Sequence, residues 1–195
     1  HYPALFAAYV GITDDPHRAL ELSRMGVAIA ERLGAEAYGE RLIEDLRARA
    51  WGRTANAMRA TSDLAGADQA LATAARHLKQ GSGEPLEEAE HLYFTASLRR
   101  AERRLDEALR SVHRSRRIYR MVGDLHLEGR SMMCESAIRD LQGEVDASIE
   151  LCRQAMAQLD AGRSPRLAFS VRHNLVWQLM VAGRSAEASR ELAAR

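Results

Sequence analysis

Arginine is the side chain best placed to do chemistry in this chain of 195 residues. Lysine and arginine number 28 together, and only Lys79 is a lysine. A guanidinium fork holds carboxylates and phosphates through paired N–H bonds, so clustered arginines are a candidate anion site. The densest run is Arg99, Arg100, Arg103, Arg104, Arg110, Arg114, Arg116, Arg117 and Arg120, interrupted by the acids Glu102, Asp106 and Glu107. A phosphate-backbone surface needs such residues on one face, interleaved with aromatics. Helical geometry spreads these over two helices and several faces, and Tyr119 is the one aromatic among them. Solvated helix faces are the simpler reading, and nucleic acid is not expected as a partner of this segment.

Other chemistries find less. The seven histidines (His1, His17, His77, His91, His113, His126 and His173) include no pair at the i,i+4 spacing of a helical metal site, and no Cys-x-x-Cys occurs. No metal or cofactor is expected. Cys134 and Cys152 fall at core positions of paired helices; a redox switch would need an exposed, acidic thiol, so buried inert thiols are expected. Gly81-Ser82-Gly83 is a lone turn rather than a phosphate loop, and no nucleophile elbow is present. Glu87, Glu88 and Glu90 open a helix, where acids favour the dipole. No catalytic residue is assigned and no enzyme is predicted.

Composition agrees. Net charge is +1, which supplies no global field toward nucleic acid or membrane. No apolar run reaches the ~20 residues that span a bilayer, and no signal segment is present. Two cysteines exclude a disulfide framework and fit the cytoplasm. Aromatics are only 5%, while alanine, leucine, arginine and glutamate abound, a mixture that loses little side-chain freedom in helices.

Apolar spacing and breakers predict helices over about Pro3–Gly11, Pro16–Leu33, Ala35–Thr61, Ala65–Lys79, Pro85–Arg103, Leu105–Met121, Asp124–Leu141, Val145–Asp160 and Pro165–Ala182, and from Ser185 onward. Gly39 and Gly52 weaken the continuity of the third. Residues 80–85 form the clearest loop and suggest a seam between two sub-arrays. The short turns at Arg103-Arg104, Gln142-Gly143-Glu144 and Gly183-Arg184 force antiparallel neighbours.

A large–small pattern recurs through these helices. One copy reads Trp51, Thr54, Ala55, Met58, Leu64, Ala67, Leu71, Ala74, and its small residue returns at Ala108, Ser148 and Ala188, after 41, 40 and 40 residues. Such a period means stacked helical hairpins. The small positions let paired helices approach closely, and Leu71, Val112, Cys152 and Leu192 fill the gaps between hairpins. In order and spacing the motif resembles the tetratricopeptide repeat (TPR), in a long-period form like those of bacterial regulators. Phe94, Leu98, Ala108, Val112 and Ser115 carry the second copy, Cys134, Ile138, Ser148, Cys152 and Ala155 the third, and Leu175-Val176, Leu179, Gly183, Ala188 and Leu192 the last. Thr54 and Met58 depart from the motif, and the second and third copies hold one extra residue.

The resemblance implies an all-α fold: a right-handed α-solenoid of about five antiparallel helix-turn-helix units. These would be a degenerate first unit over 1–34, then 35–80, 84–122, 123–161 and 163–195. Its first helices would line a concave groove, whose candidate partner-binding residues are Asn56, Arg59, Arg99, Arg100, Ser136, Arg139, Asp140, His173 and Trp177. An arginine trough ending in an aromatic suits a protein or peptide partner, an acidic one in particular. Asn56 matches one position of the family's carboxylate clamp, but Gly52 and Tyr93 stand where a lysine and an asparagine belong, which argues against that clamp. The reading is a protein-binding scaffold. Its alternative is a sensor or oligomerisation segment of a bacterial transcriptional or signalling regulator. The ends of the sequence suggest a fragment of a longer protein; oligomeric state is left open, and any homo-oligomer formed through Tyr2, Leu5 and Phe6 would follow from the apolar helix face that a cut end exposes.

Overall fold

The computed structural model describes residues 15–193, except the side chains of Ala35 and Ala37. The expected helix over Pro3–Gly11, and Tyr2, Leu5 and Phe6, lie outside them. In chain order the helices are α1 (Pro16–Arg32), α2 (Ala35–Tyr38), α3 (Glu40–Ala60), α4 (Leu64–Gln80), α5 (Pro85–Ala101), α6 (Leu105–Met121), α7 (Leu125–Leu141), α8 (Val145–Gln158), α9 (Pro165–Val181) and α10 (Ser185–Ala193). Among the described residues the fold is an all-α helical repeat.

Local chemistry sets the starts. Pro16, Pro85 and Pro165 each occupy the first turn of a helix, where a missing N–H costs nothing. Asp15 caps α1 by accepting the N–H groups of His17 and Arg18, Asp63 caps α4 through Gly66, and Asp124 caps α7 through Leu127. The predicted long helix over 35–61 divides at Gly39, whose φ of 80° no helix accommodates. Gly52 does not interrupt it. A side chain there would meet the Phe94 ring, with a Cβ only 3.2 Å from Cδ2, so Gly52 is where α3 admits α5.

The stops share one device. Ser62, Arg103, Gly123, Gly143 and Gly183 all lie in the left-handed region, with φ between 64° and 80°. At Gly143 the N–H bonds the Asp140 carbonyl while that of Glu144 reaches back to Arg139, both at 2.9 Å. The same reach-back recurs at Asp63, Arg104, Asp124 and Arg184, satisfying carbonyls that a helix end leaves open. These turns recur at multiples of about 20 residues, the half-period of the repeat.

The chain divides into two compact units, ending at Arg104 and beginning at Leu105. In the first, α1, α2, α4 and α5 all pack on α3, and α4 also meets α5. Ala67 is fully buried, and Leu71, Phe94 and Leu98 close the core, with Trp51, Met58 and Tyr93 along its margin. In the second, α6 through α10 pack each on the next. Its core gathers Met132, Ile149, Cys152, Val171, Leu175, Leu179 and Ala188. The small positions Ala67, Ala108 and Ser148 are 0% exposed and Ala188 is 3%, as close helix approach requires. Leu192, expected to fill a gap between hairpins, is instead 69% exposed.

The expected seam at residues 80–85 is not where the units part. That loop is anchored within the first unit, because the Ser82 N–H donates to the buried Asp45 carboxylate at 3.0 Å. A side chain at Gly81 would collide with the same carboxylate.

Candidate functional site

The helices in the first place of each repeat, α3, α5, α7 and α9, carry all nine candidate binding residues. Their setting differs sharply from helix to helix.

In the first unit the polar side chains of α3 and α5 serve each other. Arg49 pairs with Glu87, and Arg53 with Glu90 at 3.1 Å. Burial pushes the Glu87 carboxyl up, against the hydrogen bond from Arg49. Asn56 is buried and accepts from Nε of Arg59 at 3.0 Å. Arg99 is half-buried between Asp68 of α4, at 2.6 Å, and Glu102, at 2.7 Å; burial opposes its charge, and these two carboxylates more than restore it. Arg100 is also half-buried. Gly52 and Tyr93, the clamp positions, lie under and beside Phe94, with the Tyr93 ring edge-on at 5.8 Å. A cleft of about 410 Å³ opens beside Leu33, Arg41, Glu44 and Arg47. Within it Glu44 holds both Arg47 and His77 at 2.7 Å, and these bonds outweigh burial and lower its pKa.

The second unit uses charge in the same way. Glu128, 1% exposed, is held by Arg120 at 2.6 Å and Arg116 at 3.5 Å. Glu135 takes Arg116 and His113, both at 3.0 Å. Two members of the dense basic stretch thus neutralise buried carboxylates of the next helix. Arg116 and Arg120 lie one turn apart, and Glu128 and Glu135 two turns apart, so helical spacing carried that signal. Ser136 is 2% exposed, its hydroxyl on the Ser148 carbonyl and hydroxyl and 3.1 Å from Sγ of Cys152. It is a packing residue here, because the helix phase turns it inward. Arg139 pairs with Glu144 at 2.9 Å, and Asp140 is half-buried. Cys134 and Cys152 are both buried, and burial pushes the Cys152 thiol up. Among the described residues no group of three His, Cys, Asp or Glu side chains could hold a metal, and no helix is long and apolar enough to cross a membrane.

α9 stands apart. His173 is exposed and stacks on Phe169, with ring centroids 6.4 Å apart and planes inclined by 21°. Trp177 is 58% exposed and Phe169 72%, with Met180 and Val181 also open. These side chains form an aromatic and apolar stripe along one helix. Phe169, Met180 and Val181 are not among the residues that the sequence singles out, although their spacing from His173 and Trp177 shows the shared face.

No protein-family model matches the chain, and no curated protein does. Solved structures do match it. One is the crystal structure of a Podosopora anserina protein, described as a putative kinesin light chain with nearly identical TPR-like repeats; it is 18% identical, covers 97% of this chain and 90% of its own, and gives a TM-score of 0.61. A variant of that protein with one glutamine replaced by methionine matches at 17% identity and a TM-score of 0.62, over 99% and 93% of the two chains. BtubC (BKLC) from P. vanneervenii is 15% identical with a TM-score of 0.66, over 96% of this chain and 77% of that one. At such identities the likeness shows the fold, a TPR-like helical repeat.

Proposed function

We propose that this TPR-like chain is a protein-interaction scaffold which takes its partner on the first helices of its repeats, and not an enzyme. The observation that carries this reading is the exposed stripe Phe169, His173 and Trp177 on α9. An aromatic surface of this kind is what protein interfaces favour. TPR-like repeats generally serve protein interactions, and the polar groups of α3, α5 and α7 are largely engaged in holding the repeats together. Within the second unit the stripe on α9 is the primary contact, with Arg139 and Asp140 of α7 as secondary ones. Within the first unit Arg59, Arg99 and Arg100 are secondary candidates, with Arg99 already holding Asp68 and Glu102.

The test is capture from the native host's lysate at two salt concentrations, with wild type beside a His173→Ala/Trp177→Ala variant. A protein retained by wild type and lost by the variant establishes the scaffold and names its partner. Equal retention by both baits moves the contact to another surface. Capture of nothing by either overturns the reading in favour of a sensor segment of a larger regulator.

A further inference from the structure

One helix departs from the repeat. α5, α7 and α9 each have 17 residues and begin 18 residues before the left-handed residue of their turn, Arg103, Gly143 or Gly183. α3 has 21 residues and begins 22 before Ser62. It therefore carries one extra helical turn at its start, residues 40–43. Anchoring the next loop does not require that turn, because Ser82 is held further along α3, by Asp45. The extra turn instead walls the cleft of about 410 Å³, together with Leu33 at the end of α1 and Gln80 at the end of α4. Small-molecule sites run from roughly 300 to 1,000 Å³, so the cleft has room for a ligand.

The lining of the cleft sorts into engaged and unengaged groups. Glu44 and Arg47 answer each other, and Arg47 also donates to the Ala30 carbonyl at 3.4 Å. Glu40, Arg41 and Gln80 are exposed, and among the described residues their side chains meet no hydrogen-bond or ion-pair partner. Ile43, 2% exposed, and half-buried Leu33 supply apolar surface. The Arg41 fork suits a carboxylate, and the Glu40 carboxylate suits an ammonium. A simple anion would satisfy Arg41 and be repelled by Glu40, and a simple cation would do the reverse. A molecule that carries both charges on an apolar body answers every group. We infer that this cleft binds a small zwitterion with an apolar side chain, of amino-acid or dipeptide size, its carboxylate on Arg41, its ammonium on Glu40 and its side chain on Leu33 and Ile43. This goes beyond the scaffold reading and does not depend on it.

Isothermal titration calorimetry of the whole chain tests this with free leucine and with the dipeptide leucyl-leucine. N-acetyl-leucine, which lacks the ammonium, and leucinamide, which lacks the carboxylate, are the controls. Arg41→Ala and Glu40→Gln variants, both at exposed positions that leave the core intact, are checked by circular dichroism. The expected result is saturable binding of at least one zwitterion and binding at least ~10-fold weaker for each control. Arg41→Ala should bring leucine or its dipeptide down toward leucinamide, and Glu40→Gln should bring it down toward N-acetyl-leucine. Binding of leucine alone assigns the site to a free amino acid, and binding of the dipeptide alone assigns it to a short peptide. Absence of saturable heat from both zwitterions overturns the inference. So does binding of N-acetyl-leucine and leucinamide as tight as that of leucine, or unchanged affinity in both variants. None of these outcomes touches the scaffold reading, which lysate capture with the His173→Ala/Trp177→Ala variant tests separately.

Discussion

The two turns that lack glycine give the sharpest test of the repeat geometry. Ser62 and Arg103 hold φ of 66° and 64°, in the place that Gly123, Gly143 and Gly183 take elsewhere. A side chain in that region costs about 1–2 kcal/mol against the following carbonyl. Glycine removes this cost but adds unfolded-state freedom of about 0.5–1 kcal/mol. Both side chains are exposed, so little else changes. The net gain is about 0.5–1 kcal/mol for Ser62→Gly or Arg103→Gly, and the two should add, because the turns are separate. For a chain of this size the double variant should raise Tm by about 2–8 °C, followed by far-UV circular dichroism. Gly143→Ala and Gly183→Ala should lower stability by about 1 kcal/mol each. Unchanged or lowered stability in the glycine double variant would refute the shared turn geometry.

Other outcomes follow from the polar interior. Glu128→Gln removes the charge that answers Arg116 and Arg120, and should cost about 1–3 kcal/mol in urea denaturation; a neutral effect would mean these arginines find solvent freely. Burial, then the charge of Arg163, lowers the pKa of His126, whose Nδ1 accepts the Asp160 N–H at 3.3 Å and so requires a neutral ring. The unfolded chain therefore binds the proton first, and stability should fall as pH drops below about 6.5, less steeply in His126→Asn, which keeps an acceptor and does not titrate. Identical pH slopes would remove His126 from the account. Hydrogen bonds from Arg184, then Arg153, hold the Glu187 carboxyl down to about 2, so NMR should find it charged at pH ~4, near the ordinary carboxylate value. A titration at that ordinary value would contradict the bridge. A thiol reagent should modify Cys134 and Cys152 far more slowly in the native chain than in denaturant, and a rapid native reaction would contradict their burial.

Much of the fold can be read from residues alone, because its signals are local. Proline at helix starts, aspartate caps, glycine at turns and the small residues at Ala67, Ala108, Ser148 and Ala188 act within a few residues of themselves. Arg103 hides its left-handed turn because an arginine does not advertise that conformation. The groove residues divide for a different reason. What occupies Arg49, Arg53 or Arg99 is a carboxylate some 31 to 38 residues away, set by how one repeat lies on the next. Ser136 falls inward because it stands seven residues before its turn, as Ala55, Ala96 and Val176 do before theirs, and all four are buried. His173 and Trp177 emerge exposed, and Phe169, which completes their stripe, lies outside the positions read as groove-facing and so escapes that reading.

The central claim is that the partner lies on α9. Hydroxyl-radical footprinting of the chain, alone and with its captured partner, reads side-chain exposure directly. The account predicts that oxidation of Phe169, Trp177 and Met180 falls together on binding, while Met25 and Met121, exposed elsewhere at 55% and 71%, keep their rates. Protection of Met25 or Met121 with Trp177 unchanged would contradict it.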